Sequence, residues 1–79
     1  MERYQVLLAT DYFTEEYVEG VKAMFNNFDS AVVKVVEWRT FEKDPRMIEG
    51  IVEVNNEIGK LIINTINDAD MCVINPMEG

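Results

Sequence analysis

Three short apolar runs are spaced along the chain, and each has the length of a buried β-strand. They cover residues 4–10, 31–38 and 71–74, and the second is rich in β-branched residues. The first run meets a polar boundary at Asp11, and Asn75-Pro76 ends the third, because proline offers no amide hydrogen to a strand ladder. The pattern predicts three strands that are covered on both faces.

A first amphipathic helix is predicted between the first two runs. Thr14 can accept a hydrogen bond from the free amides of a helix start, and Glu15 and Glu16 place negative charge at the positive end of the helix dipole. Asn26-Asn27 and the polar Asp29-Ser30 end the helix. Its apolar side has the three- and four-residue spacing of one helix face and contains Tyr17, Val18, Val21, Met24, Phe25 and Phe28.

A second helix is predicted between the second and third runs. Asp44-Pro45 has the form of a helix start, with an aspartate cap and proline in the first turn, and Asn67-Asp68 forms the boundary at the other end. Gly50 and Gly59 each weaken a helix by about 1 kcal/mol relative to alanine, so we expect a break or kink near Gly59. The apolar positions at helical spacing are Met47, Ile48, Ile51, Val54, Ile58, Leu61, Ile62, Thr65 and Ile66.

The order strand, helix, strand, helix, strand predicts an α/β fold. Short connections and right-handed crossovers should place the three strands side by side as a parallel three-stranded βαβαβ unit. At least one sheet edge would be unpaired, and the chain would end just after a strand, where an open sheet normally continues into a helix. We therefore expect residues 1–79 to be a single partial domain, or a dimer that pairs its edges.

Composition and charge narrow the classes of protein further. The chain has 79 residues, 48% of them hydrophobic and 28% charged, so we expect one small folded core rather than disorder. The net charge of −8 argues against nucleic acid and anionic membranes as partners, since both are bound through Lys and Arg. A single cysteine and no histidine leave no internal disulfide and no usual zinc spacing. The sequence predicts a cytoplasmic protein.

Four segments together resemble the amino-terminal part of the D-isomer-specific 2-hydroxyacid dehydrogenases, the phosphoglycerate-dehydrogenase-like group. They are Val6–Phe13, Val33–Trp38, Val54–Ile58 and Asp68–Ile74. The resemblance spans nearly the whole chain but only the opening part of a full family member. It implies a flavodoxin-like substrate-binding domain that closes against an NAD-carrying domain, with hydride transfer between a 2-hydroxy acid and NAD.

The resemblance does not place catalytic or cofactor-binding residues on this chain. The family's histidine, acidic residue and arginine would come from other parts of the protein, and the four glycines are too far apart for the G-x-G-x-x-G turn that receives a pyrophosphate. We therefore expect the chain alone to bind no NAD. The expected partners are the rest of the dehydrogenase chain or a second copy in a homo-oligomer, together with a small 2-hydroxy or 2-keto acid.

Ligands of open parallel sheets bind at the carboxyl ends of the strands, which defines the predicted substrate cleft. Arg39 could bind a carboxylate through two parallel hydrogen bonds, but a surface pair with Glu37 or Glu42 is the stronger expectation. The amides that follow Asn75 could face the substrate carboxylate, or they could form a plain turn. The cleft candidates are Asp11, Tyr12, Phe13, Arg39, Asn75, Pro76, Met77, Glu78 and Gly79.

Other interpretations of the polar residues remain open. Asp11, Glu15 and Glu16 could form a magnesium or acid/base cluster as in acyl-phosphate receiver domains, but such a domain needs an aspartate where this chain has Asn75, so they are better explained as partners of the helix dipole. Cys72 is predicted to be a buried, unreactive thiol. The alternative function is a stand-alone acidic module that presents carboxylates to a basic protein partner.

Overall fold

The computed structural model describes residues 2–77, which form four strands and two helices. The elements are β1 (Glu2–Ala9), α1 (Glu15–Asn26), β2 (Val33–Thr40), β3 (Met47–Val54), α2 (Glu57–Asp68) and β4 (Val73–Met77). The predicted first helix is confirmed, and Thr14 caps it by accepting a hydrogen bond from the Tyr17 amide at 3.1 Å. The strands predicted at 4–10 and 31–38 are confirmed within about two residues, the usual uncertainty of element ends.

The prediction of a helix from residue 44 onward is wrong. Residues 47–54 form a strand, and Asp44-Pro45 lies in the hairpin turn before it, where the Asp44 amide donates to the Phe41 carbonyl at 3.2 Å. The helix begins only at Glu57, after Asn56, whose side chain accepts from the Gly59 amide at 3.0 Å. The apolar residues of this segment fit either period, and their β-branched side chains favour the strand.

The sheet order is β2-β3-β1-β4, and every neighbouring pair is antiparallel. The predicted fold class, an α/β parallel three-stranded βαβαβ unit within a flavodoxin-like domain, is therefore wrong. The physical cause is the additional strand, because a hairpin from β2 to β3 reverses the chain where a crossover helix would have kept its direction. The β-α-β-β-α-β order produces the split βαβ, or ferredoxin-like, arrangement.

Both helices lie on one face of the sheet, and the core is between them and the strands. Val6 and Leu8 of β1 are fully buried there, and β3 adds Val52. Burying a side chain of this kind stabilises the fold by about 1.5–3 kcal/mol. Each helix has 12 residues, and none within residues 2–77 is long and apolar enough to cross a lipid bilayer. The helices contribute Val18, Val21, Phe25, Ile63 and Ile66 to the core.

Two glycines allow close approaches that hold these layers together. A Cβ at Gly50 would lie 2.3 Å from the Trp38 ring, which lies across the β3 backbone and donates through Nε1 to Asn26 Oδ1 at 3.1 Å. A Cβ at Gly59 would lie 2.6 Å from the Val32 carbonyl oxygen. Any side chain at either position would therefore push its neighbour away.

The two outer strands are both irregular. In β2 the register shifts between Val35 and Glu37, which leaves Val36 as an additional residue with 46% of its surface exposed. In β4, Pro76 lies opposite Tyr4 of β1, so the strand predicted to stop at Asn75-Pro76 continues to Met77.

Three connections meet at one end of the sheet. The Thr10 amide and hydroxyl both donate to the Arg46 carbonyl at 2.8 Å, and the Tyr17 hydroxyl donates to the Met71 carbonyl at 2.6 Å. These bonds join the β1–α1 turn to the β2–β3 hairpin, and the first turn of α1 to the α2–β4 turn. We call this region, residues 10–16, 41–46 and 68–72, the turn end.

Candidate functional site

A chain of hydrogen bonds crosses the sheet face that the helices leave open. Arg39 donates through Nη1 to Glu37 Oε1 at 2.7 Å and through Nε to Glu49 Oε1 at 2.6 Å. Gln5 Nε2 donates to Glu49 Oε2, and Asn75 Nδ2 donates to Gln5 Oε1 at 3.3 Å. This polar chain therefore links all four strands.

Glu49 is the centre of the polar chain and is only 5% exposed. The hydrogen bond from Gln5, together with the bond and positive charge of Arg39, holds the pKa of Glu49 below its usual range, although burial opposes this. Glu49 in turn raises the pKa of Arg39. Leu7 and Ile51 are on the same face and are only 9% and 5% exposed, so these two apolar side chains beside the polar chain are covered.

A groove of about 570 Å³ runs beside the polar chain and the β2–β3 hairpin, and we call it the open-face groove. Its positive residues, Arg39 and Lys43, are matched by Glu42 and Glu49. The predicted surface pair of Arg39 with Glu37 is confirmed. Because two carboxylates already occupy Arg39, the structure gives no support to a role for Arg39 in binding a substrate carboxylate.

The turn end has a different electrostatic character. Its basic residues are Lys43 and Arg46, and Arg46 is paired with Asp44 at 3.0 Å and with Asp11 at 3.8 Å. Within residues 2–77, no three His, Cys, Asp or Glu side chains are grouped to hold a metal ion. The seven acidic residues of the turn end are Asp11, Glu15, Glu16, Glu42, Asp44, Asp68 and Asp70.

Three aromatic rings support one another at the turn end. Tyr12 is 81% exposed, and its ring meets Phe13 edge-on at a centroid distance of 5.0 Å. Phe13 stacks on Tyr17 at 4.5 Å with an interplanar angle of 23°. The Tyr17 hydroxyl is fixed in turn by the Met71 carbonyl. An exposed tyrosine is thus presented on an ordered base.

A small pocket of about 160 Å³, the turn-end pocket, opens between the β1–α1 and α2–β4 turns. Of its described lining residues only Asp70 is charged. Burial raises the pKa of the Cys72 thiol in its wall to about 11, which confirms the predicted buried thiol. Its apolar lining consists of Leu7, Ala9, Phe13, Met47 and Val73.

The predicted cleft residues are distributed over three places. Asp11, Tyr12 and Phe13 lie at the turn end. Arg39 and Asn75 lie on the open face, where Glu49 and Gln5 connect them. Pro76 and Met77 are paired with Tyr4 and Arg3 near the opposite end, because antiparallel β4 runs against β1. Glu78 and Gly79 lie outside the described residues.

Two central residues were not found from the sequence. The helical spacing of residues 47–66 predicts a helix at Glu49, although Glu49, Ile51 and Glu53 alternate as one face of a strand. Asp70 follows the end of α2 with a positive φ of 54°, a position where glycine is common. For Asp70, the only signal in the sequence is the run of mostly polar residues at 67–70, which marks the end of a helix.

Comparisons with known proteins identify no relative of this chain. The resemblance to the 2-hydroxyacid dehydrogenases therefore stays a prediction, and the flavodoxin-like fold that it implied is wrong. The function has to be inferred from the two surfaces described above. No family model, curated protein or solved structure matches the chain.

Proposed function

We propose that the chain is an acidic protein-interaction module whose turn end binds a basic segment of a partner protein. The observation that carries the proposal is Tyr12, an 81% exposed residue whose ring rests on Phe13, in a region of the chain that has seven acidic residues. Exposed tyrosines are frequent binding anchors, because they offer a large rigid surface with a polar tip. A lysine or arginine above such a ring gains cation–π attraction.

The distribution of charge also favours the turn end as the binding surface for a basic partner. The turn end has seven acidic and two basic residues, an excess of five negative charges, against −8 for the whole chain. Within residues 2–77, Glu15, Glu16, Glu42, Asp68 and Asp70 have no ion-pair partner. A concentrated negative field of this kind raises the rate of encounter with a basic partner.

The rest of the chain, although longer, has a smaller excess of three negative charges. At the opposite end, Lys60 pairs with Glu2 at 3.0 Å and lies 3.8 Å from Glu57. On the open face, Arg3 pairs with Glu53 at 2.9 Å, and the polar chain satisfies Arg39. A basic partner would gain less there, because each of these carboxylates already has a cation beside it.

Titration of isotope-labelled protein with a lysine-rich peptide tests this proposal. Backbone amide signals of residues 10–16 and 68–72 should shift, and the affinity should fall as salt is added, since exposed charges are screened. Tyr12→Ala and Asp68→Asn should each weaken binding, whereas Asp29→Asn, which makes the same charge change at the opposite end, serves as the control for Asp68→Asn. Equal shifts with a glutamate-rich peptide, or shifts confined to the open face, would contradict it.

The dehydrogenase hypothesis is retained as a second proposal that is based on the resemblance alone. It predicts that the chain works as part of a cytoplasmic homo-oligomer, with NAD held by another part of the protein and a 2-hydroxy acid bound between that part and this chain. Sedimentation of the chain measures the oligomeric state. A strictly monomeric chain over a wide concentration range would oppose the self-association that this proposal expects.

A further inference from the structure

The turn-end pocket has walls that suit an aliphatic chain. Leu7, Ala9, Met47 and Val73 come from the open face of neighbouring strands, and Phe13 closes one side from the β1–α1 turn. A volume of about 160 Å³ is similar to that of a cavity that holds benzene, so it has room for about five or six non-hydrogen atoms. Val73 is 50% exposed, which leaves the pocket accessible from solvent.

Asp70 places a negative charge against these apolar walls. It makes no side-chain hydrogen bond or ion pair with any residue from 2 to 77, so it is free to accept a cation. Its φ of 54° lies in the left-handed region, where glycine has no steric penalty and aspartate does. A carboxylate is therefore present at a position where backbone geometry alone favours glycine.

We infer that the turn-end pocket receives the side chain of a lysine from the basic partner, with Asp70 as its counter-ion. This inference rests on the proposed function and names the residue that the partner inserts. Lysine combines a flexible four-carbon stem with a compact ammonium group, and such stems pack along apolar surface while the charge stays at the rim. The larger planar guanidinium of arginine fits this volume less well, and a neutral aliphatic chain leaves Asp70 without a partner.

A peptide series separates the stem from the charge. The probes are one basic peptide with a central lysine and its analogues with norleucine, diaminopropionate or arginine at that position. The short diaminopropionate keeps the charge but removes most of the stem, and it should bind about tenfold more weakly than lysine if the stem is largely buried. Norleucine should also bind more weakly, because it leaves the carboxylate unpaired.

Two variants test the pocket from the side of the protein. Asparagine adopts the same left-handed backbone conformation, so Asp70→Asn changes only the charge. It should lower the affinity for the lysine peptide about two- to fivefold, as expected for an exposed ion pair. Ala9→Leu fills the pocket and should remove the preference for lysine over diaminopropionate. Asp29→Asn, which changes the net charge equally at the opposite end, should leave the affinity unchanged.

The possible outcomes distinguish this inference from the proposed function. Binding that depends on both the stem and the ammonium group, with a preference for lysine over diaminopropionate that Ala9→Leu removes, supports the lysine pocket. Binding that depends on charge but is equal for lysine and diaminopropionate overturns the lysine pocket and leaves the acidic module in place. Failure of every peptide to shift the turn-end signals overturns both.

Discussion

The open-face groove and the turn-end pocket are both surface depressions, but they differ in how their charges are satisfied. In the groove, Arg39 Nε donates to Glu49 Oε1 at 2.6 Å, and Gln5 donates a hydrogen bond to the other oxygen of this carboxylate. In the pocket, Asp70 lies beside apolar lining residues, and its carboxylate has no ion-pair or hydrogen-bond partner among the described residues. The central ion pair of the larger depression is therefore already satisfied, whereas the only charged residue that lines the smaller one is unpaired among the described residues.

This difference shows why volume alone does not identify a binding site. A ligand that enters the groove must compete with ion pairs that already exist, and breaking them leaves Glu49 buried without its cation. A cation that enters the pocket replaces only water around an exposed carboxylate and covers apolar surface as well. The contrast predicts that groove variants change stability and that turn-end variants change binding.

The largest expected effect is on the polar chain. Arg39→Ala should lower the free energy of unfolding by about 2–3 kcal/mol, because it leaves the nearly buried Glu49 carboxylate without its cation; the half-exposed position of Arg39 keeps the loss below that of a fully buried pair. Urea unfolding measures it. Glu37→Gln, which removes only the exposed partner, should change stability by less than about 0.5 kcal/mol, and equal losses in the two variants would show that the buried link is unimportant.

The next effect concerns the wall of the turn-end pocket. The pKa of Cys72 is raised from 9.0 to about 11 by burial, so the folded protein keeps a proton that the unfolded chain releases. Stability should therefore be fully present below pH 9 and fall as the pH rises toward about 11, by up to about 2 kcal/mol. Urea unfolding of the wild type and of Cys72→Val across this range isolates the thiol. Parallel curves would mean that the wall is wetter than the structure indicates.

A smaller effect of opposite sign is expected at Asp70. Asp70→Gly should relieve the left-handed backbone and stabilise the fold by about 0.5 kcal/mol, a rise of a few degrees in the melting temperature of a domain of this size. The same change should weaken the binding of a lysine-rich peptide. A variant that becomes both less stable and unaltered in binding would reverse the proposed distinction between the two depressions.

The smallest expected effect on stability is at Tyr12. Because Tyr12 is 81% exposed, Tyr12→Ser should change the free energy of unfolding by less than about 0.5 kcal/mol while it weakens peptide binding. Tyr17→Phe provides the contrast, since it removes the hydroxyl that donates to the Met71 carbonyl and should cost about 1 kcal/mol. Thermal melting of the two variants compares them directly.

The sequence predicted those parts of the fold in which local chemistry and tertiary structure agree. Thr14 has both the side chain and the following acids of a helix start, and α1 begins there. Residues 47–54 satisfy both helical and strand spacing, so only pairing with β1 and β2 decides between them. That one segment changed the number of strands and the direction of the sheet.

The strand at residues 47–54 also explains why only some of the site residues could be placed from the sequence. Tyr12 and Phe13 were identified correctly as residues at the end of a strand, since the first strand was right. Asn75 and Met77 were expected beside them, but an antiparallel β4 carries its carboxyl end away from that of β1. The alternation of Glu49, Ile51 and Glu53 is a strand signal, but the helical spacing of the same segment competes with it. The place of Asp70 beside the turn-end pocket depends on contacts between distant parts of the chain, which sequence spacing does not contain.

The irregular outer strands have a consequence for assembly. A sheet with free edges can recruit further strands from other molecules and grow into fibrils. Here the additional residue Val36 disturbs the regular ladder on one side, and Pro76 lacks an amide hydrogen on the other. Both borders of the sheet are thus poor templates, so we expect concentrated protein to resist amyloid growth even though its strands are rich in valine and isoleucine.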